Sequence, residues 1–164
     1  MNLIGKHGVF IGWAAAAVLA DQISKWLILN TIPLYRHIEV IPGLFNIVHF
    51  RNPGGAFGFF ASNSGFYLSL VFLVVTIAAM GLIIYLYYEL PPESRLPAAG
   101  LALVFGGAAG NMIDRLRFGN VVDFIDVYIG KYHWPAFNIA DSAISVGVII
   151  FAGYIIFKKT PAKG

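Results

Sequence analysis

No charged side chain occurs anywhere in residues 66–88, and Asp141 is the only one in residues 137–157. About 20 consecutive apolar residues are enough to cross a bilayer as a helix, the form in which each backbone polar group finds its partner inside the segment. Runs of this kind exclude an ordinary soluble fold. Composition agrees: the 164 residues are 59% hydrophobic and only 12% charged, with a mean hydropathy of +0.77. That is too little charge to clothe a soluble domain of this size. Residues 9–29 and 97–116 supply two more apolar stretches. The expected fold is a membrane all-α bundle of four transmembrane helices, at 9–29, 66–88, 97–116 and 135–157, forming one integral membrane domain over 1–164.

The N-terminus has the look of a secretory leader, with Lys6 ahead of an apolar stretch and Val18-Leu19-Ala20 resembling a cleavage site. Apolar residues resume directly after Asp21, however, so a retained first helix is expected. Between the first two spans, residues 31–64 are too many for a simple loop and too apolar for disorder. Residues 37–41 and 44–50 have strand composition around Pro42-Gly43, which predicts a small sheet on the membrane surface. Residues 117–134, with Val121, Val122, Phe124, Ile125 and Val127, are expected to form an interfacial amphipathic segment between the third and fourth helices. Gly106 and Gly110 have the small-xxx-small spacing that admits a neighbouring helix. Lys and Arg are nearly balanced across the two sides, and the tail residues Lys158, Lys159 and Lys163 favour cytoplasmic termini.

A carboxylate at the middle of a membrane helix costs about 2.5–3.5 kcal/mol on insertion scales, so Asp141 calls for a use. The unusual polar residues gather on one side of the membrane. Asn111, Asp114 and Arg115 share a face of the third span, Asn138, Asp141 and Ser145 share one of the fourth, and Asp21 and Lys25 are one turn apart in the first. Asp21 with Lys25, and Asp114 with Arg115 or Arg117, can be read as local pairs that merely neutralise each other. Asp141 has no cation within a turn, so its partner must come from elsewhere in the fold. Asp123 and Asp126 both lie in the polar stretch upstream, and spacing alone does not choose between them. Two carboxylates in a poorly hydrated site share a proton, so that one activates water while the other polarises a carbonyl. That chemistry hydrolyses a peptide without metal, thiol or serine.

Other chemistries are weaker. The chain has no cysteine, and its four histidines show no metal-ligand spacing, so neither a metal nor another cofactor is expected. Asn52-Pro53-Gly54-Gly55-Ala56-Phe57-Gly58 lacks the end of a phosphate-binding loop; it reads as a turn or as glycines that let a substrate backbone come close. Ser24 and Ser64 have no evident base. The scattered basic residues do not form a nucleic-acid footprint. A proton-coupled transporter and a non-catalytic lipid or lipoprotein-binding helper are the alternative classes. The first is opposed by the clustering of polar groups at one face, without a path across.

The ordered set Asp21-Gln22-Ile23-Ser24-Lys25, Asn52 to Gly58, Gly110-Asn111-Met112-Ile113-Asp114-Arg115, Val121-Val122-Asp123-Phe124-Ile125-Asp126 and Phe137-Asn138-Ile139-Ala140-Asp141-Ser142 resembles bacterial lipoprotein signal peptidase (signal peptidase II) over essentially the whole chain. The resemblance implies an intramembrane aspartic endopeptidase of the bacterial inner membrane that cuts just before the diacylglyceryl-modified cysteine of prolipoproteins, on the periplasmic side. It implies Asp123 and Asp141 as the catalytic dyad, in place of Asp126. Asn52, Gly54, Asn111, Arg115, Asn138 and Ala140 would line the site and hold substrate backbone. Asp114 would orient Arg115, Asp21 with Lys25 would support the fold, and the periplasmic sheet would cradle the substrate. Membrane lipid, lipidated prolipoproteins and cyclic peptide antibiotics such as globomycin are the implied partners of a monomeric enzyme.

Overall fold

A computed structural model describes residues 3–54 and 65–157. Gly55, Ala56, Phe57, Gly58 and Ser64 lie outside the described residues. In chain order the elements are α1 (Leu3–Thr31), β1 (His37–Ile41), β2 (Phe45–Asn52), α2 (Gly65–Glu89), α3 (Arg95–Phe118), β3 (Val121–Ile129), β4 (Tyr132–His133) and α4 (Ile139–Phe157). Among the described residues, three helical segments are long and apolar enough to cross a membrane: Leu70–Glu89, Arg95–Phe118 and Ile139–Phe157. The remaining helix, α1, has 29 residues. It turns its charged Lys6, Asp21 and Lys25 inward, where all three are buried. Its Ile11, Trp13, Leu19 and Trp26 are exposed, as are Val71, Val74 and Val75 of α2 and Ile149 and Ile156 of α4. Apolar surface on this scale suits lipid and not water.

The bundle is organised around α3, which packs against α1, α2 and α4. Its sequence permits this because glycines stand on two of its faces. Toward α1, a Cβ on Gly106 would sit 2.6 Å from the Ala14 carbonyl oxygen, and one on Gly110 would sit 2.6 Å from Asp21 Oδ2. The Gly106/Gly110 spacing thus does what the sequence predicts. Toward α4, Gly107 rests on Ala140 and Gly100 faces Gly147. At the other end of the bundle, Lys6 Nζ donates to the carbonyls of Tyr87 and Leu90 at 3.1 and 2.7 Å, capping the last turn of α2. Helix α3 ends at Gly119, whose left-handed backbone (φ 71°) turns its N–H onto the Arg115 carbonyl.

The strands form one antiparallel sheet in the order β1-β2-β3-β4. The predicted hairpin is present as β1 and β2, turning at Pro42-Gly43. The amphipathic interfacial segment expected over 117–134 is instead strand: β3 pairs with β2 from Phe45↔Val127 to Asn52↔Val121. Its run of Val, Ile and Phe suits a pleated surface, and its partner strand lies far upstream, beyond the reach of local periodicity. The fourth helix begins at Ile139 and not at 135, because Phe137 exchanges hydrogen bonds with Ile125 at 2.8 and 3.1 Å and holds the approach to the helix against the sheet. Ile28 of α1 and Ile32 just beyond its end meet Val122 and Phe124 of β3, which seats the sheet on the end of the bundle.

Candidate active site

The site is built on the first turn of α4. A helix N-terminus leaves backbone N–H groups without partners, and here two side-chain systems take them. Asn138 is the N-cap: its Oδ1 accepts the Asp141 N–H at 3.0 Å, while Asp141 Oδ2 accepts the Asn138 N–H at 3.1 Å. This is a reciprocal capping box, with Asn and Asp in the places usually taken by Ser or Thr and Glu or Gln. The Ala140 N–H goes to Asp21 Oδ1 of α1 at 3.0 Å. The helix start that holds Asp141 is therefore fixed from its own segment and from a neighbouring helix.

Asn138 also reaches the other acid. Its Nδ2 lies 2.8 Å from Asp123 Oδ1 on β3, with the Asn111 Oδ1 and the Val122 carbonyl at 3.2 and 3.3 Å. Asp123 Oδ2 accepts from Asn52 Nδ2 at 3.0 Å. The Asn52 amide is oriented in turn by the Gly54 N–H, which donates to its Oδ1 at 2.9 Å. That turn requires glycine: Gly54 has φ 98°, and a Cβ there would run into the Phe72 ring. Asp123 is 3% exposed. Burial pushes its carboxyl up to about 7 and the charge of Asp141 adds to the rise, while the Asn52 and Asn138 donors and Lys25 oppose it.

Asp141 Oδ1 accepts from Asn111 Nδ2 at 2.8 Å. Asn111 is held in this orientation by Lys25, whose Nζ donates to its Oδ1 at 2.9 Å. Lys25 is itself clamped by Asp21 at 2.8 Å and Asp114 at 3.0 Å, with all three side chains at most 2% exposed. Asp21 with Lys25 is thus the local pair that the spacing suggests, but the cluster extends to a third charge. Asp114 does not orient Arg115. Its carboxylate takes Lys25, Gln22 Nε2 at 3.1 Å and the Val122 N–H at 3.0 Å. Arg115 lies with its guanidinium 5.1 Å from the Phe72 ring centre, and its buried Nε has no partner among the described residues.

Two further expectations need correction. Asn138 and Ala140 are fully buried, so neither presents a surface to substrate; Asn138 holds the two acids and Ala140 packs on Gly107. Asp126, the rival of Asp123, bonds Asn46 Nδ2 at 2.9 Å and His133 Nδ1 at 2.8 Å and lines a different cavity from Asp141. Asp141 opens instead on a cavity of ≈ 350 Å³ with Trp134, Phe137 and Ser145. Ser24 donates to the Asp21 carbonyl of its own helix at 2.8 Å. Gln22, which bridges Asp21, Asp114 and the Gly110 carbonyl, escaped sequence reasoning. Its position beside Asp21 was the available signal, since a long amide next to a buried acid needs partners of its own.

Known proteins resemble the chain along nearly its whole length. The family model for signal peptidase (SPase) II matches residues 13–157. A lipoprotein signal peptidase of Desulforapulum autotrophicum is 48% identical over 144 residues, covering 88% of this chain and 89% of the relative. One from Geobacter sulfurreducens is 48% identical over 146 residues, covering 89% and 90%. A solved bacterial membrane enzyme, determined by the in meso method at 1.9 Å resolution, superposes with a TM-score of 0.81 at 35% identity, covering 93% of this chain and 95% of its own. The chain belongs to the signal peptidase (SPase) II family, a family of membrane-embedded peptidases.

Proposed function

We propose that the chain is an intramembrane aspartic endopeptidase that removes signal peptides from diacylglyceryl-modified prolipoproteins, cutting just before the lipidated cysteine. The single observation that carries this reading is that Asn138 binds Asp123 through its side chain and Asp141 through its backbone, which ties the two acids into one site. Asp123, whose carboxyl is raised to about 7, holds the proton at rest. Asp141, with two N–H donors at a helix N-terminus, is the base. Water held between them gives a proton to Asp141 and attacks the scissile carbonyl, whose oxygen takes the proton of Asp123. Asp141 then protonates the leaving nitrogen, and Asp123 recovers its proton as the C–N bond breaks.

Arg115 and Gly54 border the site, where the guanidinium suits carbonyl or lipid head-group oxygens and the glycine lets the substrate backbone approach. All four helices cross the bacterial inner membrane in a single domain, with the termini in the cytoplasm and the site at the periplasmic face. This orientation is supported by the lysines of the tail and by the sheet at the site end of the bundle. The enzyme acts as a monomer and is a target of cyclic peptides such as globomycin. The test is gel-shift cleavage of a lipidated precursor by the purified protein, beside the same precursor without lipid. Only the lipidated form is cut, and Asp123→Asn and Asp141→Asn are each inserted, folded and inactive. Full cleavage by either variant excludes the dyad.

A further inference from the structure

Strands β2 and β3 do not pair in a single register. From Phe45↔Val127 to Ile47↔Ile125 the ladder runs in regular step, but from Phe50↔Asp123 to Asn52↔Val121 it has slipped by one residue. Val48 and His49 of β2 therefore stand opposite Phe124 alone, which is a β-bulge. Side chains of a strand alternate between two faces, so such a slip exchanges the faces of everything beyond it. Continued without the bulge, the first register would set His49 opposite Asp123 and Asn52 opposite Asn120. Arg51, in place of Asn52, would then share the face of Asp123. With the bulge, Asn52 lies on that face, and its Nδ2 donates to Asp123 Oδ2 at 3.0 Å. The contact that orients the buried acid thus depends on one extra residue in β2.

His49 holds the bulge from three sides. Its N–H donates to the Arg36 carbonyl at 3.1 Å, and its own carbonyl accepts the Tyr35 N–H at 2.9 Å. Tyr35 makes that bond from the left-handed conformation (φ 61°), one that residues with a Cβ seldom adopt. The His49 ring is 5% exposed and sets Nδ1 2.8 Å from the carbonyl of Ile32, just beyond the end of α1. A carbonyl only accepts, so Nδ1 carries the hydrogen and Nε2 is a bare acceptor. That Nε2 is buried without a hydrogen-bond partner among the described residues, a cost that an apolar side chain avoids. Burial alone does not account for an imidazole here; the bond from Nδ1 does. We propose, on the peptidase reading, that His49 is a positioning residue of the dyad: through the Ile32 carbonyl it locks the β2 bulge that puts Asn52 on the face of Asp123. Helix α1 already braces Asp141, through Asp21 on the Ala140 N–H and through Lys25 on Asn111. By way of His49, the end of the same helix sets the donor to the other acid.

The experiment compares, in the full chain, His49→Leu, which loses the donor, with His49→Asn, whose Nδ2 can take the place of Nδ1. Both lack the imidazole, and both keep Asp141, Lys25 and Arg115, the charged groups that face Asp123, so the donor is what separates them. On a diacylglyceryl peptide, His49→Leu lowers kcat about 10²-fold, the scale of a reacting group out of place. His49→Asn recovers most of that loss. In an Asn52→Ala background, His49→Leu has no further effect on kcat, because the contact it serves is gone. The pH profile reads the same contact. The Asn52 donor holds the Asp123 carboxyl down, so His49→Leu moves the alkaline fall of kcat/KM above about 7, and His49→Asn leaves it in place. The loss of unfolding temperature with rising pH moves up in step. That readout needs no substrate, so it stands apart from the peptidase reading, which fails if the native protein leaves the lipidated peptide uncut. A merely structural His49 lowers the unfolding temperature of both variants, adds its effect to that of Asn52→Ala and leaves the midpoint unmoved, which overturns the proposal. If His49→Leu does not insert, His49→Gln, whose amide lies one bond further out, takes its place in each measurement.

Discussion

The side-chain amide of Asn138 lies 2.8 Å from Asp123 Oδ1, while its own carbonyl oxygen accepts the Asp141 N–H at 3.0 Å. One residue thus caps a helix and fixes the spacing of two acids, and the two roles can be separated. Asn138→Ser keeps a capping oxygen and loses the donor to Asp123. Its unfolding temperature in detergent stays near that of the native protein, while kcat falls by about 10²-fold or more, the scale of a displaced acid–base group. Asn138→Ala loses both, with about 1 kcal/mol of additional destabilisation from the missing cap. Equal rates for the serine variant and the native protein would place Asn138 outside the chemistry.

The raised carboxyl of Asp123 fixes the sign of the pH dependence. Its folded value of about 7 lies above the ordinary 3.8. Protonated Asp123 is therefore favoured by folding, and its contribution to stability is complete below the unfolded value and is lost as pH rises through about 7. Activity follows the same direction, because the proton that polarises the carbonyl is the one removed. The rate constant kcat/KM falls on the alkaline side with an apparent midpoint near 7. Asp123→Asn abolishes the rate and flattens the fall in unfolding temperature between pH 4 and 8, a range chosen to bracket both values. A native unfolding temperature that climbs with pH across this window contradicts the assignment.

Much of this could be read along the chain, and the misses share a cause. The apolar runs of α2 and α4 and the hairpin at Pro42-Gly43 are local patterns, visible within one element. Strand β3 was missed because its register is set by β2, far away in sequence. Asp114 was paired with Arg115 or Arg117 of its own helix, the cations near it in sequence, whereas its partner Lys25 comes from α1. The spacing from Asn138 to Asp141 did encode a capping box, but it was read as one face of a helix already under way from 135, which hid the cap.

Glycines on α3 test how tightly the site is braced. Gly110→Ala places a Cβ 2.6 Å from Asp21 Oδ2, inside the buried charge cluster. It lowers stability by about 1–3 kcal/mol and reduces the rate through the displaced Asp21–Ala140 contact. Gly81→Ala, which meets nothing within 4 Å, is the control and is neutral or stabilising by about 0.5–1 kcal/mol. Thermal unfolding of the two variants in the same detergent decides the matter. A Gly110→Ala protein as stable as the control shows that the helices part without penalty.

Lys25 has two separable effects. It neutralises Asp21 and Asp114, and it turns the Asn111 amide so that Nδ2 meets Asp141. Lys25→Met leaves two buried acids uncompensated and costs about 3–5 kcal/mol. Adding Asp21→Asn and Asp114→Asn removes the stranded charges, so the triple variant recovers much of the lost stability. The rate does not return with it, because the Asn111 carbonyl then keeps only the longer 3.2 Å contact to Asn138 Nδ2, a donor shared with Asp123, and a carbonyl that turns to face the carboxylate repels the base that must accept a proton from water. Unfolding temperature and kcat, measured on both variants, thus move apart. A triple variant that recovers both restricts Lys25 to charge neutralisation, and one that recovers neither means that the cluster contributes more to packing than the two ion pairs account for.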